Sequence, residues 1–348
     1  PNFSSIADFT DVFMPQLLGL VLLAFVVTAI FIVPFVDLLF YLKRRFEKSN
    51  QEKTKSETPI HDQLMKGDIG TPSGGGILLI LVLVILSLGY TFFSPVVDKD
   101  SLKILLFTVI SFGSLGLVDD VKFILTRRKG KFLGLSRRKM LLIQIILALI
   151  VSAMLYFMEG LNNLYISGLG NFVVQAWYIP LAAFVIVAFT NAYNISDGLD
   201  GLSAGLLLIC LFAFLALSSQ QLNVTLASFI GIWIGLLFAY LYFNVWPARI
   251  FLGDAGAFAF GATLAVVGLL TGKILALAII GGMFVIIVAS SAIQIFSKKV
   301  FKRRILPVAP IHMYFKYIGW EEPKIVTRFW LAQGLFAILG LWIALLSR

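Results

Sequence analysis

An all-α integral membrane protein of about ten spanning helices is the fold class this sequence predicts, and three observations predict it. Of its 348 residues, 59% are hydrophobic and only 13% charged, with a mean hydropathy of +0.96, well outside the range of a soluble domain. The apolar residues run in long unbroken stretches without alternation, which excludes a barrel and leaves helices as the way to satisfy backbone groups in lipid. The basic residues, finally, crowd into alternate connectors.

A spanning helix needs about 20 mostly apolar residues. In chain order the candidates are residues 15–42, 74–94, 102–118, 138–158, 176–190, 202–218, 223–243, 256–271, 274–297 and 327–346. The first runs into a polar connector, 43–73, and the second follows its glycine-rich end, GTPSGGG (70–76). The third ends at LVDD (117–120), and the fourth follows a strongly basic connector. Before the fifth comes EGLNNLYISGLGNFVVQ (159–175), whose short β-prone runs flank SGLGN and predict a small hairpin. NAYNISDGLDGL (191–202) joins the fifth to the sixth, and FNVWPARIFLGDAG (243–256) joins the seventh to the eighth. The fifth and eighth are short, so nine or eleven spans remain open. The ninth holds Gly281 and Gly282, which either bend the helix or allow close packing. Ahead of the tenth lies a basic and aromatic segment, 298–325, that reads as an amphipathic piece on the membrane surface.

The net charge is +10. Lys and Arg number seven in 43–73, eight in 119–139, one in 244–255 and eight in 297–328, leaving only Lys99, Lys103, Lys273 and Arg348 elsewhere. By the positive-inside rule the rich side is cytoplasmic and both termini face outward. The charge is therefore largely topogenic; Arg127, Arg128, Lys129 and Lys131 are also candidates for anionic lipid, and nucleic acid is not an expected partner. The single cysteine, Cys210, excludes a disulfide framework and a cysteine-based metal site.

With that topology every odd polar cluster falls on one face. GTPSGGG, LVDD, NAYNISDGLDGL, FLGDAG and APIHMYFKYIGW (309–320) all belong to cytoplasmic connectors, so 43–73, 119–137, 190–201, 244–255 and 297–326 together form an expected active-site cleft within a single membrane domain spanning 1–348. A transporter more typically carries ionisable groups near the midplane, where this sequence has almost none. Asp119, Asp120, Asp197, Asp200 and Asp254 converge without cysteine or a histidine cluster. Such a donor set suits Mg²⁺ that also takes phosphate oxygens, and so predicts a phosphorylated substrate. GTPSGGG reads equally as an anion cradle and as a close-packed turn.

These motifs, with GWEEPKIVTRFW (319–330), resemble the polyprenyl-phosphate N-acetylhexosamine-1-phosphate transferase superfamily over nearly the whole chain, and within it the branch that makes lipid I. The resemblance implies a ten-helix, usually dimeric enzyme of the bacterial cytoplasmic membrane. It implies transfer of phospho-MurNAc-pentapeptide from UDP-MurNAc-pentapeptide to undecaprenyl phosphate, with Mg²⁺ and release of UMP. Carried over by motif, Asp254 is the metal ligand and Asp119 and Asp120 the catalytic pair. Asn194, Asp197 and Asp200 form a polar wall on the nucleoside side, and Lys66, Asn244 and Phe251 line the uridine pocket, with Phe251 stacking on uracil; Thr71, Asn191 and Gly253 are further substrate-binding candidates. His312 opens the family's histidine motif. Here the chain departs: where the family commonly has His-His-His-Phe-Glu, this sequence reads His312, Met313, Tyr314, Phe315, Lys316.

Three rival readings stand beside this one. A sister transferase would pass phospho-GlcNAc from UDP-GlcNAc to the same lipid. A transporter or lipid flippase would work without releasing UMP and would tolerate Asp254→Asn. The third is a catalytically dead binding or scaffold protein, against which the intact set of carboxylates argues.

Overall fold

The computed structural model describes residues 13–47, 70–94, 96–127, 136–166 and 170–346. Within these, ten helices are long and apolar enough to cross a membrane, matching the count expected from hydropathy. In order the elements are α1 (Met14–Glu47), α2 (Gly75–Phe93), α3 (Lys99–Arg127), α4 (Arg137–Met158), β1 (Asn163–Ile166), β2 (Gly170–Val173), α5 (Tyr178–Ser196), α6 (Leu202–Gln220), α7 (Val224–Asn244), α8 (Gly253–Leu270), α9 (Ile274–Ile280), α10 (Gly282–Val300), α11 (Ile311–Tyr317) and α12 (Glu322–Leu346). The expected hairpin is present as the antiparallel pair β1–β2, with Asn163 opposite Val173 and Ile166 opposite Gly170.

α7 and α8 are almost wholly buried, while α1, α2, α4, α10 and α12 keep an apolar outer face, the pattern of a bundle solvated by lipid. Small residues let the central helices approach closely. A Cβ on Gly116 of α3 would strike the backbone carbonyl of Asp254 in α8, and one on Gly76 of α2 would strike the backbone of Gly256. These contacts fix the height of α8 against its neighbours at the end where the carboxylates lie.

Among the boundaries that differ from the hydropathy reading at that polar end, three each move two expected site residues into helices. α3 runs on past 118 to Arg127, so Asp119 and Asp120 lie within a helix. α5 runs to Ser196, so NAYNIS forms its last turns and only Asp197 to Gly201 is connector. α8 begins at Gly253, which puts Asp254 in its first turn. Hydropathy marks the part of a helix that sits in hydrocarbon; these polar turns lie beyond it and are held by tertiary hydrogen bonds.

The ninth span does break, into α9 and α10, at Gly281–Gly282. Close packing is present at the same glycines, since Cβ atoms there would meet Phe189 at 2.6 Å and Phe336 at 2.6 Å. A break in lipid frees backbone groups that must find partners. Fully buried Gln333 of α12 supplies them: its Nε2 donates to the Ile280 carbonyl and its Oε1 accepts from Met283 N at 3.2 Å. After α10, the segment expected to lie along the membrane holds the short α11, and residues 301–310 ahead of it form no helix. Gln294 turns them back by accepting from Ile305 N and Leu306 N and donating to the Leu306 carbonyl at 2.7 Å.

Candidate active site

Five segments remote in sequence meet at one end of the bundle. At their centre Asn194 Nδ2 donates to Asp254 Oδ1 at 3.0 Å, and the Asp119 carboxyl lies within hydrogen-bonding reach of Asp254. Two carboxyls in contact need a cation or a proton between them. Asp120, one residue along α3, does something else: its two oxygens accept from Asp254 N at 3.3 Å and Ala255 N at 3.1 Å. It thus caps the start of α8, where a negative charge also suits the helix dipole. Gly253 makes that start possible, with φ +80° and no room for a Cβ between Ser73 Oγ at 2.9 Å and Asp120 Oδ2 at 3.0 Å.

Asp197, just beyond α5, accepts from Ser203 Oγ. Loss of solvent around its carboxyl, with the nearby charges of Asp254, Asp200 and Asp120, pushes it up to about 6 despite the Ser203 bond. His312, 1% exposed, packs on the same connector, its Nε2 only 2.9 Å from where a Cβ on Gly198 would be.

Several other expected site residues are brought to this end but hold the walls together. The amides of Gly74 and Gly75 donate to the Phe251 carbonyl at 3.1 and 2.9 Å, and that of Gly76 to the Leu252 carbonyl at 2.8 Å. Of the two readings of GTPSGGG, the close-packed turn therefore fits the geometry, because those amides are not turned toward an anion. Asn244, 3% exposed, spends its side chain on Gly201 N and the Ile250 carbonyl. Asn191 donates to Gln144 of α4 at 2.9 Å and to its own helix at the Val187 carbonyl, a helix-to-helix tie. Thr71 Oγ1 donates to the Ala248 carbonyl at 3.0 Å. Asp200, 6% exposed, accepts from Ala248 N at 2.8 Å and donates its own amide to Glu322 Oε1 at 2.8 Å. Phe251 is pinned by its backbone beside Ser73, and Lys66 lies outside the described residues.

The carboxyls left in contact are thus Asp119 and Asp254, with Asn194 beside them and Asp197, bonded to Ser203, near enough to Asp254 to feel its charge. Among the described residues no three or more His, Cys, Asp or Glu side chains are arranged to hold a metal by themselves. A pair of carboxylates completed by substrate oxygens is the arrangement Mg²⁺ commonly takes, in contrast to a cation caged wholly by protein. The residues present fit it on that ground. Sequence reasoning missed Lys43, Gln144, Ser203, Lys316 and Glu322 as members of this hydrogen-bonded shell. Two of these carried a signal that would have found them: Glu322, inside the quoted GWEEPK motif, and Lys316, at the departure from the family's histidine motif.

Comparison with known proteins bears on what this end of the bundle does. The family described as Glycosyl transferase family 4 matches residues 102–272. A phospho-N-acetylmuramoyl-pentapeptide-transferase of Geobacillus sp. (strain WCH70) is 34% identical over 331 residues, 93% of this chain and 96% of its own. Those of Bacillus licheniformis and Geobacillus kaustophilus are 35% and 37% identical, each over 79% of this chain and 84% of theirs.

Proposed function

The chain belongs to the phospho-N-acetylmuramoyl-pentapeptide transferases, and from that membership we infer that it makes lipid I in peptidoglycan biosynthesis, moving phospho-MurNAc-pentapeptide from UDP-MurNAc-pentapeptide to undecaprenyl phosphate with release of UMP. The observation that carries the reading to a site is the meeting of Asp119 and Asp254, with Asn194, at one end of a ten-helix bundle. In this reading Asp254 and Asp119 hold Mg²⁺, whose chemistry when bound is to neutralise the diphosphate and the departing UMP. Asp254 sits where the positive end of α8 also favours phosphate oxygens. Asp119 orients the lipid phosphate for direct attack on the β-phosphate. That phosphate is already largely ionised near neutral pH, so positioning outweighs proton removal. Asp120 serves by holding α8, and Asp197 and Asn194 face the nucleoside side. The Lys and Arg distribution supports a site facing the cytoplasm of a bacterium, and a homodimer is the assembly expected for such an enzyme.

Mass spectrometry of the lipid extracted after incubation with undecaprenyl phosphate and each donor separately tests the specificity. A muramyl-pentapeptide diphospholipid from the first donor and none from UDP-GlcNAc is the expected result; the reverse would give the chain to the sister activity. Trapping a phospho-enzyme from nucleotide sugar alone would overturn direct attack.

A further inference from the structure

The hydrogen bonds that tie the walls of the site form one continuous line. Lys43 Nζ of α1 donates to the Thr71 carbonyl at 3.1 Å. Thr71 Oγ1 donates to the Ala248 carbonyl, Ala248 N to Asp200 Oδ2, and Asp200 N to Glu322 Oε1. Lys316 Nζ closes the line on Glu322 Oε2 at 2.6 Å. It crosses the mouth of the bundle from the first spanning helix to the last and links three segments of the nucleotide pocket. Its final link uses Lys316, the position where this sequence has a base and the family commonly an acid. The two side chains are largely buried, 17% and 8% exposed, so the charge on Glu322 is balanced locally while its other oxygen remains directed at the Asp200 amide.

We propose that Glu322, oriented by Lys316, is a positioning residue that sets the Asp200 amide and with it the Asp197–Gly201 connector in register with the Thr71 and Ala248 turns, and so determines the affinity for the nucleotide half of the donor. The proposal rests on the reading that this connector faces the nucleotide. α11 has its own anchorage, since Phe315 stacks on Trp320 at 4.5 Å and meets Phe329 edge-on at 6.0 Å. The link is therefore removable without unseating the helix.

Three variants separate positioning from a plain ion pair. Glu322→Ala removes both links. Glu322→Gln keeps an acceptor for the Asp200 amide and loses the charge. The exchange K316E with E322K restores an ion pair but leaves that amide without an acceptor. Steady-state UMP release is measured over the nucleotide-sugar range, and hydrogen exchange is followed in the peptide containing residues 197–203. Glu322→Ala and the double exchange are expected to raise KM for the nucleotide sugar roughly 10-fold, as loss of an outer support does. They should leave kcat within about 2-fold and speed exchange at Asp200, while Glu322→Gln stays close to the parent in both readouts. Restoration of KM by the double exchange would overturn the proposal in favour of an ion pair that only stabilises the fold. Unchanged exchange at 197–203 in Glu322→Ala would overturn it as well. If the unmodified protein releases no UMP, the functional reading fails and not the positioning claim, which exchange in the same peptide still decides.

Discussion

Adjacent aspartates on α3 do different work, and that difference is testable one residue at a time. Asp120 accepts from two backbone amides at the start of α8. Replacing it by Asn removes one of those two acceptors from a helix N-terminus, a loss of about 1 kcal/mol that should lower the thermal midpoint. Asp254→Asn removes no cap and relieves a contact between carboxyls. It should leave the midpoint unchanged or higher and reduce turnover by about 10²-fold, the scale of losing one electrostatic stabiliser. Differential scanning fluorimetry alongside turnover checks both; a destabilised Asp254→Asn with turnover intact would reverse the assignment. The sequence made the convergence of Asp119, Asp197 and Asp254 legible, because charge asymmetry put their segments on one face. It could not divide the labour between Asp119 and Asp120, or show that Asn191 and Asn244 turn to backbone and Gln144. Those facts depend on which way a side chain leaves its helix, and helix boundaries at the polar end do not follow hydropathy.

At the scale of elements, two devices hold the helices where the site needs them. The break between α9 and α10 is tolerated in lipid because Gln333 takes up the Ile280 carbonyl, which Cys210 Sγ also reaches at 3.4 Å, and the Met283 amide. Gln333→Leu keeps the volume but takes the acceptor from the Met283 amide and leaves the Ile280 carbonyl only the weaker thiol donor, so it should destabilise by about 1–3 kcal/mol, seen as a lower midpoint in detergent. At the hairpin end, Ser101 Oγ lies 2.6 Å from both Asp98 Oδ2 and Glu159 Oε1. One hydroxyl proton cannot serve two carboxylates, so one carboxyl must bring its own. Burial opposes the Asp98 charge, but bonds from Ser101 and from the Asp100 and Ser101 amides outweigh it and hold Asp98 below its usual range. Burial, with the Asp98 and Asp100 charges, pushes Glu159 up despite its Ser101 bond, so the proton belongs to Glu159. A raised carboxyl contributes stability that is complete below its unfolded value and lost as pH rises through its folded one. The clasp between α3 and α4 should therefore tighten as pH falls through the raised value of Glu159. Asp98 limits the gain at still lower pH, since its contribution is lost as pH falls through its own depressed value. Glu159→Gln, a permanent donor, should flatten the thermal midpoint as pH crosses the Glu159 value; an equally steep profile in the variant would show that Glu159 is not the titrating group.

For the whole molecule, the count and order of the spans were readable because bilayer thickness sets a length that composition alone reveals. The β-hairpin was readable from its turn residues. What hydropathy left out were the polar ends of α3, α5 and α8, the irregular path of residues 301–310 and the line of hydrogen bonds from Lys43 to Lys316, since tertiary partners decide each of them. The bundle presents a central α8, clamped by glycines of α2 and α3, that carries Asp254 to the meeting point of five segments. The most direct test is UMP release by detergent-solubilised protein given UDP-MurNAc-pentapeptide, with and without undecaprenyl phosphate, with Mg²⁺ or a chelator, in the parent and in Asp254→Asn. Release that needs the lipid, stops with chelator and is lost in Asp254→Asn is the result expected here. Release that survives both the chelator and Asp254→Asn, or no release from the parent under any condition, would contradict a metal-assisted transferase centred on Asp254.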